Sequence, residues 1–88
     1  MTELPADLLD LAKDVLVAAK ARDAKITTAE SCTGGLISGC LTAIPGSSDV
    51  VECGFITYND ESKINMLGIP RDVIAEKGAV SDIVALAM

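Results

Sequence analysis

Histidine and tryptophan are absent from this 88-residue chain, and its aromatic residues are one Phe and one Tyr. Without histidine, Ser-His-Asp and Cys-His catalysis are excluded within the chain, and a zinc site becomes hard to build. Without aromatic bulk, the core has to come from Ala, Val, Ile and Leu. Basic residues are scarce as well. Seven Lys and Arg against thirteen Asp and Glu give a net charge of −6, which argues against nucleic acid or an anionic membrane as a partner. The three cysteines, Cys32, Cys40 and Cys53, show no CxxC or Cys/His ligand spacing and read as free thiols in a reducing cytoplasm. The acidic start Met1-Thr2-Glu3 lacks the basic region of a signal peptide. Ser31 to Ser48 carries no charge, but four Gly, one Pro and six Ser or Thr fit a buried helix with its turns better than a membrane span. No metal and no cofactor is indicated.

What is present is organised around Thr27-Thr28-Ala29-Glu30-Ser31-Cys32-Thr33-Gly34-Gly35. Ile26 to Ala29 reads as a β-branched strand, and Gly34-Gly35 opens an apolar run of helical period. A polar cluster between a strand end and a helix start is where α/β proteins place their chemistry. The N–H groups of Thr33, Gly34 and Gly35 are expected to face a ligand, with the helix dipole favouring negative charge. An oxyanion or a phosphate fits equally well.

The rest alternates helix and strand. Leu4, Leu8, Leu11, Val15 and Ala18 share one face of a helix over about Pro5 to Arg22, and Ala12, Leu16 and Ala19 widen it. A strand over Lys25–Ala29 is followed by a helix over Gly34–Ala43 that buries Leu36, Ile37, Cys40 and Leu41. Gly35 and Gly39 have a GxxxG spacing that suggests close helix–strand packing. After the turn Ile44–Asp49, Val50 to Tyr58 is a second strand. Asn59 or Asp60 caps a helix over Glu61–Leu67 that Gly68 ends, Pro70 starts another that ends at Gly78, and Ser81 caps the last, Asp82–Met88. Strands separated by helices favour an α/β layered domain. The apolar pattern still runs at Met88, and two strands make a poor sheet. The 88 residues therefore read as the N-terminal portion of one larger α/β domain.

The chemistry these residues allow centres on Ser31 and Lys63. With no histidine, the base for a nucleophilic Ser31 is a Lys, a carboxylate or a Tyr. Lys63, in the first turn of a helix just after Tyr58, is expected to be depressed in pKa by the helix end and by burial. Such a lysine suits a Ser-Lys hydrolase. Strand alternation turns Cys32 toward the interior. Plainer uses stand beside these: Ser31 or Thr33 as an N-cap, Lys63 as a solvated surface residue, Tyr58 as a half-buried strand residue, Glu30 as a partner of the helix dipole and Ser47-Ser48 as turn residues.

Taken together, Thr28-Ala29-Glu30-Ser31-Cys32-Thr33-Gly34-Gly35, Pro45-Gly46-Ser47-Ser48, Gly54-Phe55-Ile56-Thr57-Tyr58 with Lys63, Leu67-Gly68-Ile69-Pro70 and Gly78-Ala79-Val80-Ser81 closely resemble the C-terminal domain of competence/damage-inducible protein CinA. The resemblance implies a three-layer α/β/α sandwich, often a dimer, and in many members a metal-free nicotinamide-nucleotide amidase. That activity converts nicotinamide mononucleotide to nicotinate mononucleotide and ammonia. It implies Ser31 as nucleophile, Lys63 as its base and Tyr58 as an assisting group. It also implies Glu30, Thr33, Gly34, Gly35 and Ser48 around the substrate. A nucleotide-binding or regulatory module of the same fold, without activity, is the alternative.

Overall fold

The computed structural model describes residues 4–88; the acidic start Met1–Glu3 lies outside them. Helix α1 (Ala6–Ala21) begins after Pro5, whose fixed φ suits a helix start, and carries Asp7 in its first turn and Lys20 in its last. Strand β1 (Ile26–Glu30) leads through the Ser31–Gly35 turn into α2 (Leu36–Thr42). A short 3-10 turn, Ser47–Asp49, precedes β2 (Val51–Ile56). Three short helices complete the chain: α3 (Asp60–Leu67), α4 (Arg71–Lys77) and α5 (Asp82–Ala87). The caps follow the sequence. Asn59 accepts the Ser62 N–H at 2.8 Å, Ser81 accepts that of Val84 at 3.3 Å, and Gly68 ends α3 in the left-handed conformation.

Strands β1 and β2 pair in parallel, with Thr28 opposite Gly54, Ala29 opposite Phe55 and Glu30 opposite Ile56. The chain is thus an α/β structure built on a βαβ unit, as its alternation implied. The ladder runs one residue further at each end, through Ile26 N–H to Val50 O and Thr57 N–H to Glu30 O.

Two apolar clusters hold the fold. Ala12, Leu16, Leu41 and Val50 join α1, α2 and the start of β2, and Ile69, Ile74 and Val84 join α3, α4 and α5. Each such large side chain contributes on the order of 1.5–3 kcal/mol when fully buried.

Burial on the first two helices departs from the sequence pattern. The buried stripe of α1 is Ala12 and Leu16, whereas Leu8, Leu11 and Val15 remain exposed. On α2 only Leu41 is buried; Cys40 is half-buried and Leu36 and Ile37 are exposed. The reason is geometric. Helices α1 and α2 diverge on this side, and an open apolar groove lined by Leu8, Leu11, Val15, Leu36 and Ile37 runs between them. The glycine expectation also needs correction. A Cβ on Gly39 would meet nothing, while one on Gly35 would lie 2.7 Å from Ile56 Cδ1 and one on Gly54 2.5 Å from Ser38 Oγ. Close packing of α2 on the sheet therefore depends on Gly35 and Gly54.

Candidate active site

Glu30 is the last residue of β1 and is only 2% exposed. Its carboxylate turns inward, under the start of α2. Oε1 accepts the Thr33 hydroxyl at 2.7 Å and the Ile37 N–H at 2.9 Å. Oε2 accepts the Ser38 N–H at 3.0 Å and the Ser38 hydroxyl at 2.9 Å. Burial is the largest single influence and opposes ionisation, but the Ser38 N–H, the Thr33 hydroxyl, the Ile37 N–H and the Ser38 hydroxyl together outweigh it. They hold the carboxyl down to about 2. The carboxylate thus takes up N–H groups that the first turn of a helix leaves without partners. Ser38 in turn shares a 2.6 Å hydrogen bond with Thr28 Oγ1, directly against Gly54.

The turn that follows carries Ser31, Cys32, Thr33, Gly34 and Gly35. It closes through Gly34 N–H to Ser31 O at 2.9 Å and Leu36 N–H to Thr33 O at 3.0 Å. Gly34 and Gly35 have φ of 59° and 100°, the left-handed region that glycine enters without strain. The expectation of three free N–H groups is therefore corrected: that of Gly34 is used within the turn. Those of Thr33 and Gly35 make no hydrogen bond among the described residues. Ser31 is half-buried and Cys32 is exposed. The inward placement expected for Cys32 fails because strand alternation stops at Glu30.

Lys63 comes from α3 and is 1% exposed, so the solvated reading of this residue is excluded. Its Nζ donates to Thr57 O at 2.8 Å. Thr57 is fully buried, and both its N–H, at 2.8 Å, and its hydroxyl, at 3.3 Å, donate to Glu30 O. The lysine amine is thereby tied, through one peptide and one carbonyl, to the residue preceding Ser31. Tyr58, next along, is 71% exposed beyond the end of β2. Ser48 is exposed in the 3-10 turn before β2, at the opposite end of the paired strands from Ser31, so it is not near Ser31 in this chain. A cleft of about 310 Å³ separates Ser31 and Cys32 from the Ala79–Asp82 segment and Met88.

The sequence reading missed three residues of this constellation. Thr57, Ser38 and Thr28 are buried or half-buried and hydrogen-bonded. A polar β-branched residue in the otherwise apolar run Gly54–Tyr58 was the available signal for Thr57. Among the described residues no group of three His, Cys, Asp or Glu side chains could hold a metal ion, and no helix is long and apolar enough to cross a membrane.

The same arrangement of elements has solved counterparts. Residues 8–88 match the family model of the CinA C-terminal domain. The chain belongs to the CinA C-terminal domain family. The competence/damage inducible protein CihA from Agrobacterium tumefaciens superposes with a TM-score of 0.94 at 44% identity, over 100% of this chain and 53% of that one. A competence-damaged (CinA) superfamily protein from Escherichia coli gives a TM-score of 0.88 at 28% identity, over 98% of this chain and 51% of that one. Among curated relatives, nicotinamide-nucleotide amidohydrolase PncC of Escherichia coli K12 is 46% identical over 83 residues, which are 94% of this CinA-family chain and 50% of PncC. A CinA-like protein of Akkermansia muciniphila is 49% identical over 78 residues, 89% of this chain and 19% of that protein. The chain thus spans about half the length of PncC.

Proposed function

We propose that this chain carries the nucleophile and base of a nicotinamide-nucleotide amidohydrolase, in which Ser31 attacks the carboxamide carbon of nicotinamide mononucleotide. The observation that carries the reading is the buried Lys63, whose amine reaches the Thr57–Glu30 connection next to Ser31. Lys63 takes the Ser31 hydroxyl proton as the Oγ–C bond forms. The N–H groups of Thr33 and Gly35 stabilise the oxyanion, each such donor being worth about 10²–10³ in rate in comparable hydrolases. The C–N bond then breaks, with Lys63 and Tyr58 returning a proton to the leaving ammonia. Water hydrolyses the acyl-enzyme to nicotinate mononucleotide, and Ser31 regains its proton. Thr33, Gly34 and Gly35 shape the substrate side of the turn, which Glu30 holds from beneath; Ser48 belongs to the 3-10 turn before β2.

The test is ammonia release from nicotinamide mononucleotide by this chain and by its Ser31→Ala, Cys32→Ala and Lys63→Arg variants. Loss with Ser31→Ala and Lys63→Arg, and retention with Cys32→Ala, is expected, since arginine holds its proton at any working pH. Activity that survives Ser31→Ala and disappears with Cys32→Ala would transfer the nucleophile to the thiol. One observation favours a rival reading: Lys63 Nζ already bonds a backbone carbonyl, as it would in a module that binds the nucleotide without cleaving it. Saturable binding with no ammonia released would establish that rival.

A further inference from the structure

We infer that Glu30 is the positioning residue of the nucleophile turn, a carboxylate that fixes where Ser31 stands and makes no contact with the substrate. The inference rests on the reading of Ser31 as nucleophile but is carried by a different set of contacts. Both carboxylate oxygens are occupied by four donors from within the chain, two backbone N–H groups and two hydroxyls, at 2.7–3.0 Å. With the side chain 2% exposed, no oxygen is left facing the cleft. Its carbonyl, on the other side, accepts both Thr57 donors, and Thr57 O holds Lys63 Nζ. One residue therefore grips α2 through its side chain and β2 through its backbone, and Ser31 is the next residue in the chain.

The consequence follows from the donor set. The two backbone N–H groups, one on each oxygen, can only donate, so both positions need an acceptor, which a carboxylate supplies and a carboxamide does not. A Gln at this position has one oxygen and one NH₂; a hydroxyl can rotate to accept from that NH₂, but the backbone N–H on the same side, Ile37's or Ser38's, cannot, so two donors would oppose each other across a buried contact. The turn would then shift or loosen while retaining its volume. Hydrolysis is sensitive to such shifts, because a displacement of about 1 Å at a reacting group costs roughly 10²-fold in rate.

The experiment compares the unmodified chain with Glu30→Gln and with the milder Ser38→Ala, which removes one donor and keeps the carboxylate. The first readout is amide hydrogen exchange at Gly34, Ile37 and Ser38 in the folded chain. The second is the split between kcat and KM for nicotinamide mononucleotide. Glu30→Gln is expected to speed exchange of the Gly34 amide about tenfold or more and to lower kcat by about 10²-fold with KM within about twofold. Ser38→Ala is expected to do the same several-fold more weakly. Unchanged Gly34 exchange in both variants overturns the inference, whether or not the chain turns over. A rise in KM with kcat preserved also overturns it and returns Glu30 to the substrate-binding set. If the unmodified chain releases no ammonia, the amidase reading fails, and Gly34 exchange alone then decides the role of Glu30.

Discussion

The Ala12, Leu16, Leu41 and Val50 cluster gathers side chains from α1, α2 and the approach to β2, whereas Ile69, Ile74 and Val84 come from the link between α3 and α4, from α4 and from α5, which follow one another directly. The first cluster is closed over by a long helix and a parallel strand pair. The second relies on helices of 8, 7 and 6 residues, lengths that are unstable in isolation. Ser31 issues from the first unit and Lys63 from the second. The candidate chemistry thus sits at the seam between a part held by distant contacts and a part held by near ones, and Thr57 is the joint. A buried lysine on the weaker unit keeps its position through a bond to the stronger one.

The largest expected effect tests that division of labour. Leu16→Ala and Ile74→Ala each remove a buried side chain, and each should cost about 2–5 kcal/mol. Their reach should differ. Leu16→Ala is expected to lower the protection of β1 and β2 amides, while Ile74→Ala frees the amides of α3, α4 and α5 and leaves the strands protected. Equal loss of protection everywhere in both variants would mean that the two clusters melt as one.

Acid is expected to act on the first unit. The Glu30 carboxyl is near 2 in the folded chain against an ordinary 4.5, so the unfolded chain binds the proton first. Stabilisation is therefore complete above about pH 4.5 and is lost as pH falls toward about 2, amounting to as much as about 3 kcal/mol. Urea midpoints measured between about pH 6 and about pH 3 check this, and Glu30→Gln should flatten the dependence.

Gly54→Ala comes next. The added Cβ would displace the Ser38 and Thr28 hydroxyls that stand 2.5 Å and 2.6 Å away, for a cost of about 1–3 kcal/mol. Faster exchange of the Ile37 and Ser38 amides should accompany it. A stabilised Gly54→Ala variant would show that the hydroxyl pair relaxes freely. The smallest change is Cys32→Ala. With the thiol exposed, denaturation should shift by no more than about 0.5 kcal/mol.

The order of elements, the caps at Asn59 and Ser81 and the stop at Gly68 were legible because they depend on neighbours within four residues. The depth of burial was not. Leu11 and Val15 fit the helical stripe as well as Ala12 and Leu16 do, and only the packing on Leu41 and Val50, distant in sequence, decides which stripe is covered. Lys63 and Glu30 illustrate the same limit at the site. Charge alone places both in solvent, and partners outside the reach of a single turn, Thr57 for Lys63 and Ser38 for Glu30, make their burial tolerable. Cys32 failed for a local reason, since the strand's period ends one residue before Ser31.

The Glu30–Ser38 contact also bears on the order in which the chain assembles. It joins residues 8 apart, whereas the Thr27–Cys53 contact between the strands joins residues 26 apart. Closing the shorter loop costs about 1 kcal/mol less chain entropy, so the carboxylate clasp is expected to form while β2 is still unattached. The second strand would then dock on a turn already shaped, with Gly54 sliding over a finished pair of hydroxyls. Ser38→Ala should in that case slow refolding, and Val51→Ala should mainly speed unfolding. The polypeptide would build its Ser31–Gly35 turn before it builds its sheet.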